Sequence, residues 1–300
     1  MRGTLVITGA NGNLGRRLLG AVSGRWRVRA LVRSPSAAER IRALPEAGEV
    51  EVMVVDYLDD QAMFEALDGA GAVVHLVGII KEPGAGAYRQ AHEETCRVLA
   101  QAASAAGVER LVYLSILGAI PESANACLAS KGNAEQILLE GAPPTRVLRV
   151  PMVLGEGDYA SAALAKRARS RLNLLFRATS LEQPLYAGDL IDAIVASLET
   201  SEPVAGTLDL AGPESLTRAA LTLRAARVLG RNTWLISLPL GWGLALAWLL
   251  ERLATPPPVT RAMLGVLDHD DAIDPTASAQ LLGVTLTSLD EMLTNCLSST

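Results

Sequence analysis

From Thr4 to Gly15 the chain reads Thr-Leu-Val-Ile-Thr-Gly-Ala-Asn-Gly-Asn-Leu-Gly, a short apolar run that breaks at once into three evenly spaced glycines. Such a run suits a strand buried on both faces, and the glycines lead it through a tight turn into a helix. Gly9 allows the turn, Gly12 lets the backbone approach a pyrophosphate, and Gly15 lets the next helix lie close on the sheet. That helix, from Leu14 to about Val22, aims its free N–H groups and positive dipole end at the phosphates. The loop alone is a weak signal, and its competing reading is a glycine-rich turn with no ligand. Its place directly behind a first strand gives it force.

Further apolar runs at Val28–Val32, Glu51–Val55, Ala72–Val77, Arg110–Leu114 and Arg146–Val150 alternate with helix-length segments, including Tyr88–Ala106 and Ala124–Glu140. With Leu5–Thr8 as the first strand, this alternation predicts an α/β fold, a Rossmann-type doubly wound parallel sheet with right-handed crossovers. Beyond Val150 the rhythm changes. Gly155–Asp158 is a turn cluster, Ser161–Arg171 a basic helix, and Asp189–Glu199 a helix with Asp189 placed to cap it. Thr207–Leu210 reads as a short strand and Thr217–Leu229 as a helix, and the remainder is mostly helical with prolines between. The expected organisation is a nucleotide-binding domain over residues 1–150 and a smaller, mainly helical C-terminal part over 151–300. The chain crosses back into the sheet instead of passing through a clean linker.

The formal charge of −5 leaves no basic footprint for nucleic acid. Cys96, Cys127 and Cys296 are scattered without metal-ligand spacing, and His75, His92 and His269 are dispersed, so no metal centre is expected. Asp268-His-Asp-Asp271 reads as a solvated turn in preference to a cation site. A first strand starting at residue 4 leaves no room for a cleaved signal peptide, and the cysteine usage suits a reducing compartment; the cytoplasm is expected.

Two positions bear on the nucleotide itself. Val52-Met-Val-Val-Asp56-Tyr57 ends the third strand, and ligands of doubly wound sheets lie beyond the carboxyl ends of the strands. Asp56 therefore stands where an adenine amino group is held; a cap for a helix over Leu58–Leu67 is an equal reading, and one carboxylate can do both. The second strand ends Arg29-Ala-Leu-Val-Arg33-Ser34. A carboxylate there would grip the ribose 2′-hydroxyl of NAD, whereas the Arg33 guanidinium suits a 2′-phosphate. NADP(H) is favoured over NAD(H), against the reading of Arg33 as an unliganded surface arginine.

Thr8-Gly-Ala-Asn-Gly-Asn-Leu-Gly15-Arg16, Asp56, His75–Ile79, Gly107–Ser115, Ser130-Lys131, Leu148–Pro151 and Gly206–Thr217 span nearly the whole chain. Together they resemble the atypical extended short-chain dehydrogenase/reductase superfamily, which is NAD-dependent epimerase/dehydratase-like. Val74–Ile80, Leu114–Ala119 and the Leu-Pro-Leu plus aliphatic helix beyond residue 234 are similar to the branch of the nucleotide-binding accessory subunit of respiratory complex I. The resemblance implies cofactor contacts at Gly9, Asn11, Gly12, Asn13, Leu14, Gly15, Arg33, Asp56, Tyr57, Leu76, Val77, Gly78, Ser115, Lys131, Pro151 and Val153.

Reductases of this superfamily place a tyrosine four residues before a lysine on one helix, beside a serine at the end of the fifth strand. That spacing puts both side chains on one helical face. The lysine lowers the phenol's pKa and holds the nicotinamide ribose, and the phenol acts as acid or base. Ser115 and Lys131 match this pattern, but the tyrosine slot holds Cys127, and His92 stands where many relatives have an asparagine in a proton relay. Tyr113 and Tyr159, in a strand and a loop, do not simply replace the phenol. Two readings follow. In the preferred one Cys127 is a small buried filler, the tyrosine-dependent reaction is lost, and Ser115 and Lys131 persist as cofactor contacts. In the other, Lys131 depresses the Cys127 pKa and creates a reactive thiolate.

Trp234–Leu250 carries no charge over seventeen residues, and Pro239 divides it. A helix from Leu240 to Ala254 spans roughly 22 Å, short of a ~30 Å hydrocarbon core. Trp234, Trp242 and Trp248 suit a boundary between apolar and wet surroundings, and Thr255-Pro-Pro-Pro258 stops the helix. A core helix of the small part and an exposed foot for a membrane or membrane complex are equal readings. The expectation is thus an NADP(H)-binding, short-chain dehydrogenase-like protein whose nucleotide is structural or redox-reporting. Its setting is cytoplasmic, with the periphery of the inner membrane and a respiratory partner as the associated reading. The alternative is an NADP(H)-dependent oxidoreductase that reduces a quinone or other apolar carbonyl, with water or His92 handling the proton. A sugar-nucleotide epimerase is disfavoured, because its chemistry depends on the absent phenol.

Overall fold

Leu5 and Ile7 point to one side of their strand and Val6 to the other, and all three are fully buried. The first strand therefore needs cover on both faces, which only the middle of a layered α/β sheet supplies. The computed structural model describes residues 2–300 except 46–49, 81, 83, 85, 142, 202–203, 254–259, 267–268 and 299–300. Lys81, the helix stop at Thr255–Pro258 and Asp268 of the acidic turn lie outside the described residues.

The first half runs β1 (Arg2–Thr8), α1 (Asn13–Val22), β2 (Trp26–Val32), α2 (Pro35–Arg42), β3 (Val50–Val54), α3 (Asp60–Leu67), β4 (Ala70–His75), α4 (Thr95–Ala105), β5 (Arg110–Ile116), α5 (Ala126–Gly141) and β6 (Thr145–Val150). The second half runs β7 (Val153–Leu154), α6 (Tyr159–Arg169), β8 (Leu172–Phe176), β9 (Leu181–Glu182), β10 (Leu185–Tyr186), α7 (Ala187–Glu199), β11 (Gly206–Asp209), β12 (Leu216–Thr217), α8 (Arg218–Val228), β13 (Trp234–Leu238), α9 (Leu240–Leu253), α10 (Arg261–Val266), α11 (Thr276–Leu282) and α12 (Leu289–Ser298). The main sheet has the order β3-β2-β1-β4-β5-β6-β11, and every pairing in it is parallel. This is the doubly wound Rossmann arrangement, and β11 returns the chain to it from the second half.

On one face α1, α2 and α7 pack Leu18, Ile41 and Ile194 against Leu5 and Ile7. On the other, α3, α4 and α5 pack Met63, Leu99 and Leu138 against Val6 and Leu31. A separate cluster joins α6, α8 and α12 through Leu164, Leu221 and Leu293.

Local expectations change at four places. Asp189 does not cap α7, which begins at Ala187 behind Tyr186; its carboxylate instead accepts Thr287 N–H and Oγ1–H, both at 2.7 Å. That contact outcompetes the cap because it ties a distant segment onto the helix. Asp56 does not cap α3 either. Asp59 does, accepting from Ala62 N, while the exposed Asp56 accepts only from its near neighbour Leu58 N. The helix expected from Tyr88 opens with a π-helical turn over Arg89–Glu94 before α4 begins. Finally, Trp234–Leu238 is a strand paired in parallel with β8, so the basic helix ends at Arg169. No local pattern announces a partner sixty residues away.

Candidate functional site

Sheet order reverses at β1, which β2 and β4 flank, and the carboxyl ends of such strands open a crevice. Gly9 to Gly15 follow β1, Arg33 follows β2, Asp56 and Tyr57 follow β3, and Leu76 to Gly78 follow β4. Ser115 lies in β5, Pro151 follows β6, and Val153 opens β7. One edge of the sheet thus gathers the residues expected to meet the nucleotide.

The loop after β1 is built for close approach. Gly9 has φ +68°, and a Cβ there would come within 3.3 Å of the Leu76 carbonyl. A Cβ at Gly15 would fall 2.5 Å from the Ala10 oxygen, so only glycine lets α1 sit this near the turn. Gly12 caps α1 without a side chain, and no acid occupies its first turn, which leaves those N–H groups suited to an anion. The Tyr57 hydroxyl donates to Leu31 O at 2.6 Å and accepts from Gly9 N at 3.0 Å, pinning the loop to β2. Burial pushes this phenol up to about 12. Asn13 Oδ1 accepts from Arg17 Nε, whose guanidinium also donates to Glu156 O, closing α1 onto the loop behind β7.

Beside this loop Asn11, Arg33, Ser34, Ala37 and Arg40 line a hollow of about 410 Å³. Arg33 and Arg40 are exposed, and neither pairs with a carboxylate among the described residues. Arg40 was not singled out from the sequence, although projecting the helix that starts at Pro35 brings it back towards Arg33.

The other half of the site is buried. Lys131 is buried and its Nζ donates to Tyr113 OH and Leu114 O, both at 3.0 Å. Burial pulls the ammonium below its ordinary pKa. A Cβ at Gly78 would come 3.1 Å from Nζ, so this glycine leaves room for the lysine head. Asn125 Oδ1 accepts from Cys127 N and Leu128 N and so sets the start of α5. Cys127 is buried with Sγ 3.8 Å from Ile79 O, near the Tyr88 phenol, whose hydroxyl donates to Ile80 O at 2.6 Å. Burial pushes the thiol up and Lys131 only partly opposes this, which favours the neutral thiol.

His92 Nε2 accepts from Ile79 N at 3.0 Å, so its proton sits on Nδ1 and faces Ser130 Oγ at 2.8 Å. Ser130 in turn donates to Cys127 O. Both ring nitrogens are therefore engaged, and burial brings the imidazole down to about 3. His75 pairs with Thr8 through Nδ1, while its Nε2 and the Ser115 hydroxyl are buried without a hydrogen-bond partner among the described residues.

The structure brings Ser115, Cys127, Lys131 and His92 into one region through Leu114, Ile79 and Ser130. It adds two phenols. Tyr113 shares a strand face with Ser115, as the period of two implies, and Tyr88 lies four residues before His92 and stacks on its ring. Among the described residues no group of His, Cys, Asp or Glu side chains is placed to hold a metal ion.

Residues 9–141 match the family of NAD(P)H-binding domains, and the chain carries such a domain. It is 32% identical over 242 residues to a ceramide reductase of Caulobacter vibrioides, covering 79% of this chain and 74% of that protein. It is 26% identical to the mitochondrial NADH dehydrogenase [ubiquinone] 1 alpha subcomplex subunit 9 of Arabidopsis thaliana, over 70% of this chain and just 54% of that subunit's length. The UDP-glucuronic acid 4-epimerase of Bacillus cereus, solved in complex with NAD, superposes with a TM-score of 0.76 at 16% identity, covering 99% of this chain and 98% of that one; this likeness concerns the fold. With its NAD(P)H-binding domain and its likeness to the ceramide reductase over most of both chains, the chain belongs to the extended short-chain dehydrogenase/reductase superfamily, in the branch that holds subunit 9 of complex I.

Proposed function

We propose that this protein is an NADP(H)-dependent reductase of an apolar long-chain carbonyl compound, a lipid substrate in keeping with its likeness to a ceramide reductase, working at a membrane surface. One observation carries the reading. Ser115 Oγ is buried without a partner among the described residues at the reacting end of β5, and the Lys131 ammonium bonds the carbonyl of its neighbour Leu114. Leaving a hydroxyl desolvated and unpaired costs about 1–3 kcal/mol, and a substrate carbonyl oxygen would offset that cost.

NADPH, when bound, supplies the hydride that turns the carbonyl into an alcohol. Ser115 then donates a hydrogen bond to the carbonyl oxygen as negative charge builds there. Lys131 adds a nearby positive charge held in low dielectric. The proton that completes the alcohol comes from water, since both ring nitrogens of His92 are engaged and the Tyr88 hydroxyl is committed to Ile80 O. The hollow lined by Arg33 and Arg40 supports a 2′-phosphate and hence NADP(H).

The test is single-turnover oxidation of bound NADPH by a long-chain ketone in detergent micelles. Wild type should turn over above the buffer rate, and Ser115→Ala and Lys131→Met should each lose about a hundredfold or more. Retained but unreacted NADPH across a ketone and quinone panel would overturn the reductase. That outcome would support the second reading, favoured by Cys127 in the tyrosine slot: a holder in which the nucleotide is structural or redox-reporting.

A further inference from the structure

We propose that the outward face of the β8–β13 ribbon, with the cations at its head, docks on a bilayer surface rich in anionic lipid. This rests on the membrane-surface reading above and names the surface and the lipid chemistry that fit it.

The strands pair in parallel, with Trp234 opposite Leu172 and Ile236 opposite Leu174. Asn173 and Leu175 alternate inward and are buried. The four outward side chains are 79% (Trp234), 53% (Leu172), 48% (Ile236) and 60% (Leu174) exposed. A contiguous apolar face of this kind marks a contact surface, unlike single exposed leucines. Beyond Pro239 the face is followed by α9, whose exposed Trp242, Leu246, Leu249 and Leu253 recur at helical spacing along one stripe. An adjoining side of α9 is held by small residues, with Gly243 against the Phe176 ring and Ala247 buried.

The head of the ribbon supplies the charge. Trp234 N donates to Arg171 O at 2.8 Å, and Asn173 Nδ2 donates to Arg167 O at 2.9 Å, so the end of α6 abuts the first strand pair. Lys166, Arg167, Arg169, Arg171 and Arg231 are all exposed there. None pairs with a carboxylate among the described residues, in a chain whose formal charge is −5. Cations at phosphate level, indole at the interface and aliphatic carbon beneath it are the layers an anionic bilayer surface offers. A nucleic acid would leave the indole and leucine face without a match. No helix among the described residues is long and apolar enough to cross a membrane, which agrees with a surface dock.

The experiment is co-sedimentation of the full chain with vesicles of phosphatidylcholine alone or with about 30 mol % phosphatidylglycerol. Binding should appear on the anionic vesicles, weaken with salt, and shift indole emission to the blue. Arg169→Gln with Arg171→Gln should lower partitioning roughly 30-fold. Trp234→Ser with Ile236→Ser should lower it about tenfold or more at any salt. Retained NADPH binding by both variants shows that they fold. Absence of binding at every composition, or wild-type binding by the Trp234→Ser/Ile236→Ser variant, would overturn the dock. So would a dimer abolished by that variant, which would assign the face to a second copy of the chain. Micellar turnover without vesicle binding sinks the dock alone, and vesicle binding without turnover sinks the reductase alone.

Discussion

Among single residues, Arg33 and Arg40 make the sharpest claim about the ligand. Both line the hollow beside the glycine loop without a carboxylate partner among the described residues. Charge-assisted contacts to a phosphate are worth about 1.5–3 kcal/mol each. The double change Arg33→Ala, Arg40→Ala is therefore expected to raise the NADPH Kd by roughly tenfold or more and leave the NADH Kd within about twofold. Equal losses for the two cofactors, by fluorescence titration, would remove the 2′-phosphate from the reading. Of this pair only Arg33 was legible in the sequence, because it ends a strand; Arg40 needs the turn of α2 to bring it round. Cys127 was legible as a departure, yet the phenol beside it was not, since Tyr88 reaches the thiol only through the packing of its helical turn against α5.

At the scale of elements, α5 decides where the reacting side chains stand. Asn125 fixes its start, the buried Glu135 pairs with Arg149 of β6, and Gly132 lets it pass close to the loop before it. A Cβ at Gly132 would lie 2.4 Å from the Ile120 carbonyl carbon and 2.5 Å from Pro121 N, both backbone atoms that cannot swing away. Gly132→Ala should destabilise the fold by about 1–3 kcal/mol and weaken NADPH binding by displacing the adjacent Lys131. An unchanged melting temperature would show that the loop yields freely. The strands and helices of the first half were readable because each carries its own period and its own turn. The β8–β13 ribbon was not, because two short strands with no alternating polar face look like loop and helix until they meet.

For the molecule as a whole, stability should depend on acid through two imidazoles. Burial holds both His75 and His92 down at about 3, against about 6.5 in an unfolded chain. Below that value the unfolded chain binds protons the native one refuses. Stability is thus full above pH 6.5 and falls towards pH 3, by about 1.4 kcal/mol per pH unit for each imidazole. Asp271, pushed up to about 6 by burial, works in the opposite sense between its unfolded and folded values and offsets one of them there. Urea midpoints should fall from pH 7 to pH 5, and His92→Asn should flatten that slope; an unaltered slope would exclude His92 as its source.

Globally, the layering was legible from alternation, as was the return of the second half to the sheet, but the face that α7 covers was not. α7 and β11 come from the second half, yet one covers a face of the nucleotide-binding sheet and the other its β6 edge. This places the order of synthesis against the order of setting. A ribosome delivers the glycine loop well before α7 and β11, and the sheet beneath it lacks its lid and its last rail until residue 209 has emerged. The glycine loop therefore waits on residues far behind it for its finished support, and the β6 edge stays an open strand edge in the interval.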